Sequence, residues 1–502
     1  MRLLMMSLVL VGGSLGALAQ TNAPEVRKLS LEDCLQSALR KNLDLQIARY
    51  VPPLATLDLQ GAYAGYDPTF SINPGNPQHS YSKSPGSFDP TTGTVGVGRT
   101  TTANDVNSSL KGLAPWGTKY GLSGDYNNAY GTIGANGPGF DQYGASAAIT
   151  VSQPLLKNFW IDQTRLDILV FKNRLKYSEL TLKNQIMQTA TTVETAYYDL
   201  IYDRENVTVQ QKAVELATQL VVENKKRVEV GALAPLDEQQ AEAQAASTEA
   251  TLIAAKSALA IQEHLVKQLI TDQYSQWADL SLEPSGSLTA PRQFFSRQDS
   301  WSKGLTQRPD LLQAKLDVEK QGITIKFNYN QLFPELDLVG SYGRNASAFP
   351  TPGSAFDNVR DGTYPAYSYG AALSFPIGNT FARATYKSSK LVKEQLLLTL
   401  KKLEQTIMVE IDNDIKQAES SFKQVAATRT AREYAAAALD AEQKKLESGK
   451  STTYTVLQMQ RDLTTARGNE IQALDNYNKS LAQLSLDEGS TLQRLAINIE
   501  VK

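Results

Sequence analysis

Leu39-Arg40-Lys41-Asn42-Leu43-Asp44-Leu45-Gln46-Ile47-Ala48-Arg49 is answered far downstream by Leu305-Thr306-Gln307-Arg308-Pro309-Asp310-Leu311-Leu312-Gln313-Ala314-Lys315. Leu, Asp, Leu and Ala return at the same intervals, and the closing Ala is followed by a basic residue in both copies. The same spacing carries Tyr66-Asp67-Pro68-Thr69-Phe70 onto Leu332-Phe333-Pro334-Glu335-Leu336. Further along, Ile149 and Pro154 match Ala371 and Pro376, and Val230-Gly231 matches Ser448-Gly449. An internal duplication of helix, strand, strand, long helix, glycine turn and helix predicts a structural assembly rather than a compact catalytic domain.

The long helices carry the clearest periodicity. Asn158 to Glu229 holds neither Pro nor Gly, and Ile186, Ala190, Val193, Tyr197 and Leu200 alternate steps of four and three. That is a heptad seam. A second stripe (Leu182, Thr189, Ala196, Val209, Ala213, Leu216, Leu220) lies on another face, so the helix can be gripped from two sides. In the second copy, Thr380 to Glu447 repeats the design through Leu403, Ile407, Ile411, Ile415, Ala418, Phe422 and Val425. Each long helix of about 70 residues runs ~105 Å at 1.5 Å per residue. Its return helix covers only about half of that. The opening helices expected at about 30–64 and 300–331 supply the missing length.

Strands are expected between the helices, at Asp67 to Asn73, Gln142 to Pro154, Glu335 to Asn345 and Ala366 to Ile377. Each is about as long as a tilted membrane strand of ~9–11 residues. Phe70, Tyr143, Tyr342, Tyr369 and Phe375 fit interfacial girdles. The strand pattern alone leaves a soluble β-meander open, whereas export and polar helices favour an outer-membrane barrel. Four strands fall below the minimum of about eight for a closed barrel, so several chains must share it. Pro68 to Pro154 exceeds Pro334 to Pro376 by about 44 residues. Within that surplus, Val106 to Gly112 and Lys119 to Asn128 flank a hairpin turn, Ala114-Pro115-Trp116-Gly117. Asn73 to Asn104, rich in Pro, Gly, Ser and Thr, reads as an exposed loop. Trp277 to Phe295 links the copies, and Leu495, Ile497, Ile499 and Val501 alternate as a short strand. These two segments are expected to form a small mixed α/β region beside the helices.

Arg2, the apolar run Leu3 to Leu15 and Ala17-Leu18-Ala19 read as an export signal over residues 1–19. The single cysteine, Cys34, excludes a disulfide framework within one chain. With 50 basic and 52 acidic residues and no basic patch, a nucleic-acid partner is not expected. His79 and His264 are too few and too scattered for a metal site or a catalytic triad. Neither a metal nor a cofactor is expected, nor an enzyme. Ser448-Gly449-Lys450-Ser451-Thr452 imitates a phosphate-binding loop, but Lys444 stands where its first glycine belongs.

Taken together, the chain resembles the TolC family of outer-membrane efflux channels. The resemblance rests on Leu29-x-Leu31-Glu32-x-Cys34-Leu35-x-x-Ala38-Leu39 and its copy, on Gln153-Pro154-Leu155 and Phe375-Pro376-Ile377, and on the two glycine turns. It implies a first repeat over 24–288, a second over 289–488 and a tail over 489–502. The implied fold is mainly α with transmembrane β: a coiled-coil α-helical barrel, an outer-membrane β-barrel and a small mixed α/β equatorial region. It further implies a homotrimer sharing a twelve-stranded barrel in outer-membrane lipid, and export driven by an inner-membrane pump through a periplasmic adaptor protein. In the family the two turns, here about 228–237 and 446–455, close the periplasmic entrance and meet the adaptor. The corresponding adaptor contacts are Gly231, Ala232, Leu233, Gly449, Lys450 and Ser451, and the entrance gate residues are Asp237, Thr455 and Gln458. Where the family places carboxylates in the second turn, this chain has Thr455 and Gln458; its latch Tyr and Arg fall on Leu446 and Ser451. Asp237 also suits an ordinary first-turn Asp favoured by the helix dipole. A periplasmic coiled-coil adaptor or a scaffold protein is the alternative, and the strand pairs argue against it.

Overall fold

The computed structural model describes residues 26–73, 80–86, 88–134, 137–231 and 233–497. The expected export signal, His79, Ala232, Ile499 and Val501 lie outside those residues. In chain order the elements are β1 (Val26–Leu29), α1 (Leu31–Lys41), α2 (Leu43–Ala48), α3 (Val51–Tyr63), β2 (Thr69–Ile72), β3 (Ser80–Ser84), β4 (Phe88–Asp89) and β5 (Thr94–Val95). Next come β6 (Arg99–Leu113), β7 (Lys119–Ile133), β8 (Gly139–Pro154), α4 (Gln163–Glu229), α5 (Pro235–Ile270), α6 (Tyr274–Trp277) and β9 (Ser281–Pro284). The remainder are α7 (Arg297–Gln307), α8 (Pro309–Asn330), β10 (Glu335–Phe349), α9 (Pro352–Asp361), β11 (Pro365–Ser374), α10 (Thr380–Glu447), α11 (Thr453–Asp487) and α12 (Thr491–Arg494). None of the described helices is long and apolar enough to cross a membrane. Contacts divide the chain into two compact units, one holding residues up to 46, 187–295 and 413–486, the other 47–186, 296–412 and 487 onward.

The first unit is helical. Ser30 caps α1 in a reciprocal box with Asp33, whose carboxylate accepts from the Ser30 backbone N–H. Behind that cap Cys34 is fully buried, and burial, with Asp33 adding to it, pushes its thiol up to about 12. The heptad residues Ala190, Val193, Tyr197 and Leu200 are all buried, as are Ala241, Leu252, Ala255 and Val266 on α5. At Tyr197 the phenol donates to the Leu29 carbonyl at 3.2 Å and accepts from the Gly286 N–H at 3.1 Å. Those bonds tie α4 to Leu29 at the end of β1 and to Gly286 just after β9, two strands that pair in parallel, β9 alone lying in the linker. On α11, Tyr477 is buried against Phe422 and donates to the Pro291 carbonyl at 2.6 Å.

The second unit holds the sheet and the helices that enter it. Neither opening helix is continuous, contrary to the sequence expectation. In the first unit, at Asn42, the backbone turns to ψ 125, and the Asn42 side chain accepts from the Leu45 N–H to start α2. At Arg308 the following Pro309 forbids the α conformation and sits at the first position of α8. Arg308 spans that break: its guanidinium grips Asp310 through two nitrogens and reaches Glu410 at 2.7 Å and Asp487 at 3.6 Å. Gly304, one turn earlier, brings α7 against the fully buried Ile407 and Ile411 of α10. The described part of the tail forms α12 and a turn closed by Ile497 N–H to Leu492 O, rather than the expected strand.

The sheet is antiparallel with neighbours in the order β11-β10-β8-β7-β6-β2, and β3 also pairs with β6. β2 lies along Ser108–Lys111 and β3 along Arg99–Ala103, so the seven strands occupy six lanes. Four strands were expected. The supposed surplus hairpin is part of the sheet, with β6 and β7 in register from Arg99↔Ile133 to Leu113↔Lys119. Its turn closes where the sequence placed it, through Ala114 N–H to Thr118 O and Gly117 N–H to Ala114 O, with Gly117 at φ 93. The stretch read as a loop, Asn73 to Asn104, holds β3, the small β4–β5 hairpin and the start of β6. Among the described residues, β11 and the β2/β3 lane each leave one edge unpaired.

Candidate functional site

Residues opposite one another across antiparallel strands share a face, and successive residues alternate between faces. One register row across all six lanes reads Phe70, Leu110, Leu122, Ile149, Tyr342 and Tyr367. Leu338, Tyr120, Val151, Tyr369 and Leu373 extend the same face. Phe70, Tyr367 and Tyr369 are 64%, 74% and 86% exposed. So much apolar surface on one side of a sheet calls for hydrocarbon beyond it.

The other face reverses the chemistry. Its row beside the apolar one is Ser71, Ser109, Ser123, Ala148, Gly343 and Ala366, and the next is Thr69, Lys111, Gly121, Thr150, Ser341 and Ser368. Ser71 and Ser109 pair through their hydroxyls at 2.8 Å, as do Ser341 and Ser368. Ser146 donates to Asp125 at 2.9 Å and Ser152 to Asp337 at 3.2 Å. Short polar side chains that satisfy one another leave the space beside them to water. Towards the far end, α9 packs Ala355 against Ala145 and Ala346 on the apolar side. Arg344, on the apolar face, donates to the carbonyls of Val359 and Arg360 at the C-terminus of α9. The helix end thereby neutralises a cation that would otherwise face lipid.

The two helical turns lie in the first unit. The turn after α10 is a Schellman motif: Gly449 at φ 74 donates to Leu446 O at 3.1 Å and Lys450 N–H to Lys445 O at 2.9 Å. Thr452 then caps α11 by accepting from the Thr455 N–H, and their hydroxyls lie 3.0 Å apart. After α4, Gly231 takes φ 76 and donates to Val228 O at 2.9 Å, and Pro235 opens α5. Leu233 is half-buried, Lys450 exposed and Ser451 half-buried. Asp237 is half-buried in the first turn of α5; Thr455 is half-buried and Gln458 exposed. No hydrogen bond or ion pair among the described residues joins Asp237 to Thr455 or Gln458.

Sequence reasoning missed the groups that stiffen these turns. Glu442 accepts from the Ser451 hydroxyl and from Lys445 at 2.9 Å, and these contacts, Ser451 foremost, hold its carboxyl below the usual range. Asn224, wholly buried on α4, donates to the Asp237 carbonyl at 3.3 Å. Leu446, aligned with a family latch residue, is instead buried with Leu220, Leu439, Val456, Leu457 and Leu463. Higher in the same unit Lys479 meets Asp199 at 2.6 Å and Asp475 at 3.3 Å. Asp475 is completely buried. Burial pushes its carboxyl up to about 6, Lys479 opposes the shift and Asp199 adds to it.

A sheet apolar on one side and polar on the other, in one chain with two hairpins of long coiled-coil helices, has the make-up of a membrane channel protein. The pattern of the outer membrane efflux protein family matches residues 119–271 and 301–487. The outer membrane efflux protein BepC of Brucella suis biovar 1 (strain 1330) is 24% identical over 356 residues, 70% of this chain and 73% of that protein. The Campylobacter jejuni CmeC outer membrane channel superposes with a TM-score of 0.65 at 16% identity, covering 94% of this chain and 90% of CmeC. The Vibrio cholerae outer membrane protein VceC gives 0.65 at 15% identity, over 91% and 96% of the two chains. The chain belongs to the outer membrane efflux protein family. It is an efflux channel of the Gram-negative outer membrane reaching into the periplasm, in a family of channels rather than of enzymes.

Proposed function

We propose that three copies of the chain assemble into one channel, with the sheets closing a common barrel in the outer membrane. An inner-membrane pump, joined through a periplasmic adaptor, drives substrate into it. The observation that carries a barrel shared between copies is the pair of unpaired sheet edges, on β11 and on the β2/β3 lane, bounding a sheet whose apolar face belongs in lipid; the number three comes from the family resemblance. Hydrocarbon offers no hydrogen bonds, so each free edge N–H and C=O would cost several kcal/mol there. Six lanes are too few to close alone, since about eight is the minimum. Neighbouring copies supply the missing partners.

In this reading the turns at Gly231, Ala232 and Leu233 and at Gly449, Lys450 and Ser451 meet the adaptor, and Asp237, Thr455 and Gln458 line the entrance. Their support is the pair of well-formed helix ends with exposed tips. The mass of the mature protein extracted from outer membranes in mild detergent tests the assembly. Three chains with heat-sensitive mobility are expected, and a water-soluble monomer would overturn the proposal.

A further inference from the structure

We infer that the β6–β7 hairpin widens the membrane barrel from twelve strands to eighteen, giving a bore for cargo of larger cross-section; the count rests on the trimer proposed above. The hairpin is continuous with the wall. β7 stays in register with β8 from Lys119↔Ser152 to Thr132↔Gly139, and β8 with β10 from Ala145↔Ala346 to Pro154↔Asp337. Leu110 and Leu122 continue the apolar row, while Ser109 and Ser123 continue the row of small residues behind it. Both strands have 15 residues, more than the ~9–11 that a tilted membrane strand needs. A hairpin merely resting on a barrel would not keep two opposite faces matched lane by lane.

Closure constrains the count as well. All neighbours in the sheet are antiparallel, so six lanes place β11 and the β2/β3 lane in opposite directions. The β11 edge of one copy therefore meets the β2/β3 edge of the next in an antiparallel pair. Inserting a whole hairpin preserves that junction, whereas a single added strand would make it parallel. Three copies of six lanes then give eighteen strands. For strands ~4.8 Å apart and tilted ~40°, opposite backbones lie ~36 Å apart, against ~24 Å for twelve strands. The cross-section rises roughly twofold. On the added strands the polar face carries Ser109, Gly121 and Ser123 beside Lys111, Asn107 and Asp125, so the added wall is hydrophilic.

Cryo-electron microscopy of the detergent-extracted protein counts strands and chains independently. A trimer with an eighteen-stranded wall is expected. A trimer with twelve strands and the hairpin outside the wall overturns the inference but spares the trimer, and any other chain number overturns both. Spin labels at Leu122→Cys and Ser123→Cys provide a second reading in membranes. Lipid-soluble oxygen should reach the first label and an aqueous nickel reagent the second, and two water-exposed labels would place the hairpin outside the wall.

Discussion

Replacing Gly304 by alanine sets two opposed effects against each other. In an exposed helix interior, Gly→Ala gains about 1 kcal/mol. On α7, however, the added methyl would lie 2.6 Å from Ile411 Cδ1, 3.2 Å from Ile407 Cγ2 and 3.5 Å from the Asp487 carbonyl. Both isoleucines are fully buried, so neither has free space to turn into. Overpacking of this kind costs about 1–3 kcal/mol. The clash outweighs or cancels the gain, and Gly304→Ala is expected to lose up to about 2 kcal/mol net. Ile411→Val removes the offending Cδ1 and by itself costs about 0.5–1.5 kcal/mol. Combined, the two changes should cost less than their sum by about 1–2 kcal/mol, because one deletes the atom that the other strikes. Guanidinium unfolding in detergent, followed by helical circular dichroism, measures all three variants. A stabilised Gly304→Ala, or strict additivity with Ile411→Val, would refute the close packing of α7 on α10.

The Asp475 carboxyl, raised from 3.8 to about 6 in the folded chain, takes up its proton in the folded state first. Folding is thus weakened by up to about 3 kcal/mol above pH 6 and recovers as pH falls through 6 towards 3.8. Asp475→Asn should lack that dependence, so the stability difference between wild type and variant should change between pH 6 and 3.8, and a difference independent of pH would contradict it. Gly449→Ala meets no neighbouring atom but must hold φ 74, so it is expected to cost about 1–2 kcal/mol and loosen the second turn, read as faster amide exchange there. If Asp237 helps hold the entrance shut, Asp237→Ala raises conductance in planar bilayers; a closed-state current equal to wild type would sink that role.

Sequence patterns gave the helices away more readily than the strands. Thr380 to Glu447 was legible to the residue because a heptad seam, an opening Thr and a closing Gly act locally. The break at Asn42 was hidden, since it depends on a side chain capping the next helix. Pro309 marks the break at Arg308 in the sequence, and only the reach of the guanidinium to Glu410 and Asp487 left no signal there. Strands β6 and β7 were half-legible. Their polar faces are built of Ser, Thr, Asn and Gly, the residues that also make loops, so Asn73 to Asn104 read as an irregular segment. Alternation became visible only at Leu110, Tyr120 and Leu122. Around the turns, glycines marked the helix ends, but the Ser451–Glu442 bond joins residues on either side of the turn and leaves no local signature.

The capped first turn of α1 has a practical side. Cys34 is the only thiol in the chain, it has no exposed surface, and its ionisation near 12 leaves about one thiolate in 10⁵ at pH 7. Maleimides and methanethiosulfonates will pass over it. Any cysteine introduced elsewhere therefore becomes the sole reactive handle on an otherwise native molecule, and probes can be attached one position at a time without first engineering a cysteine-free background.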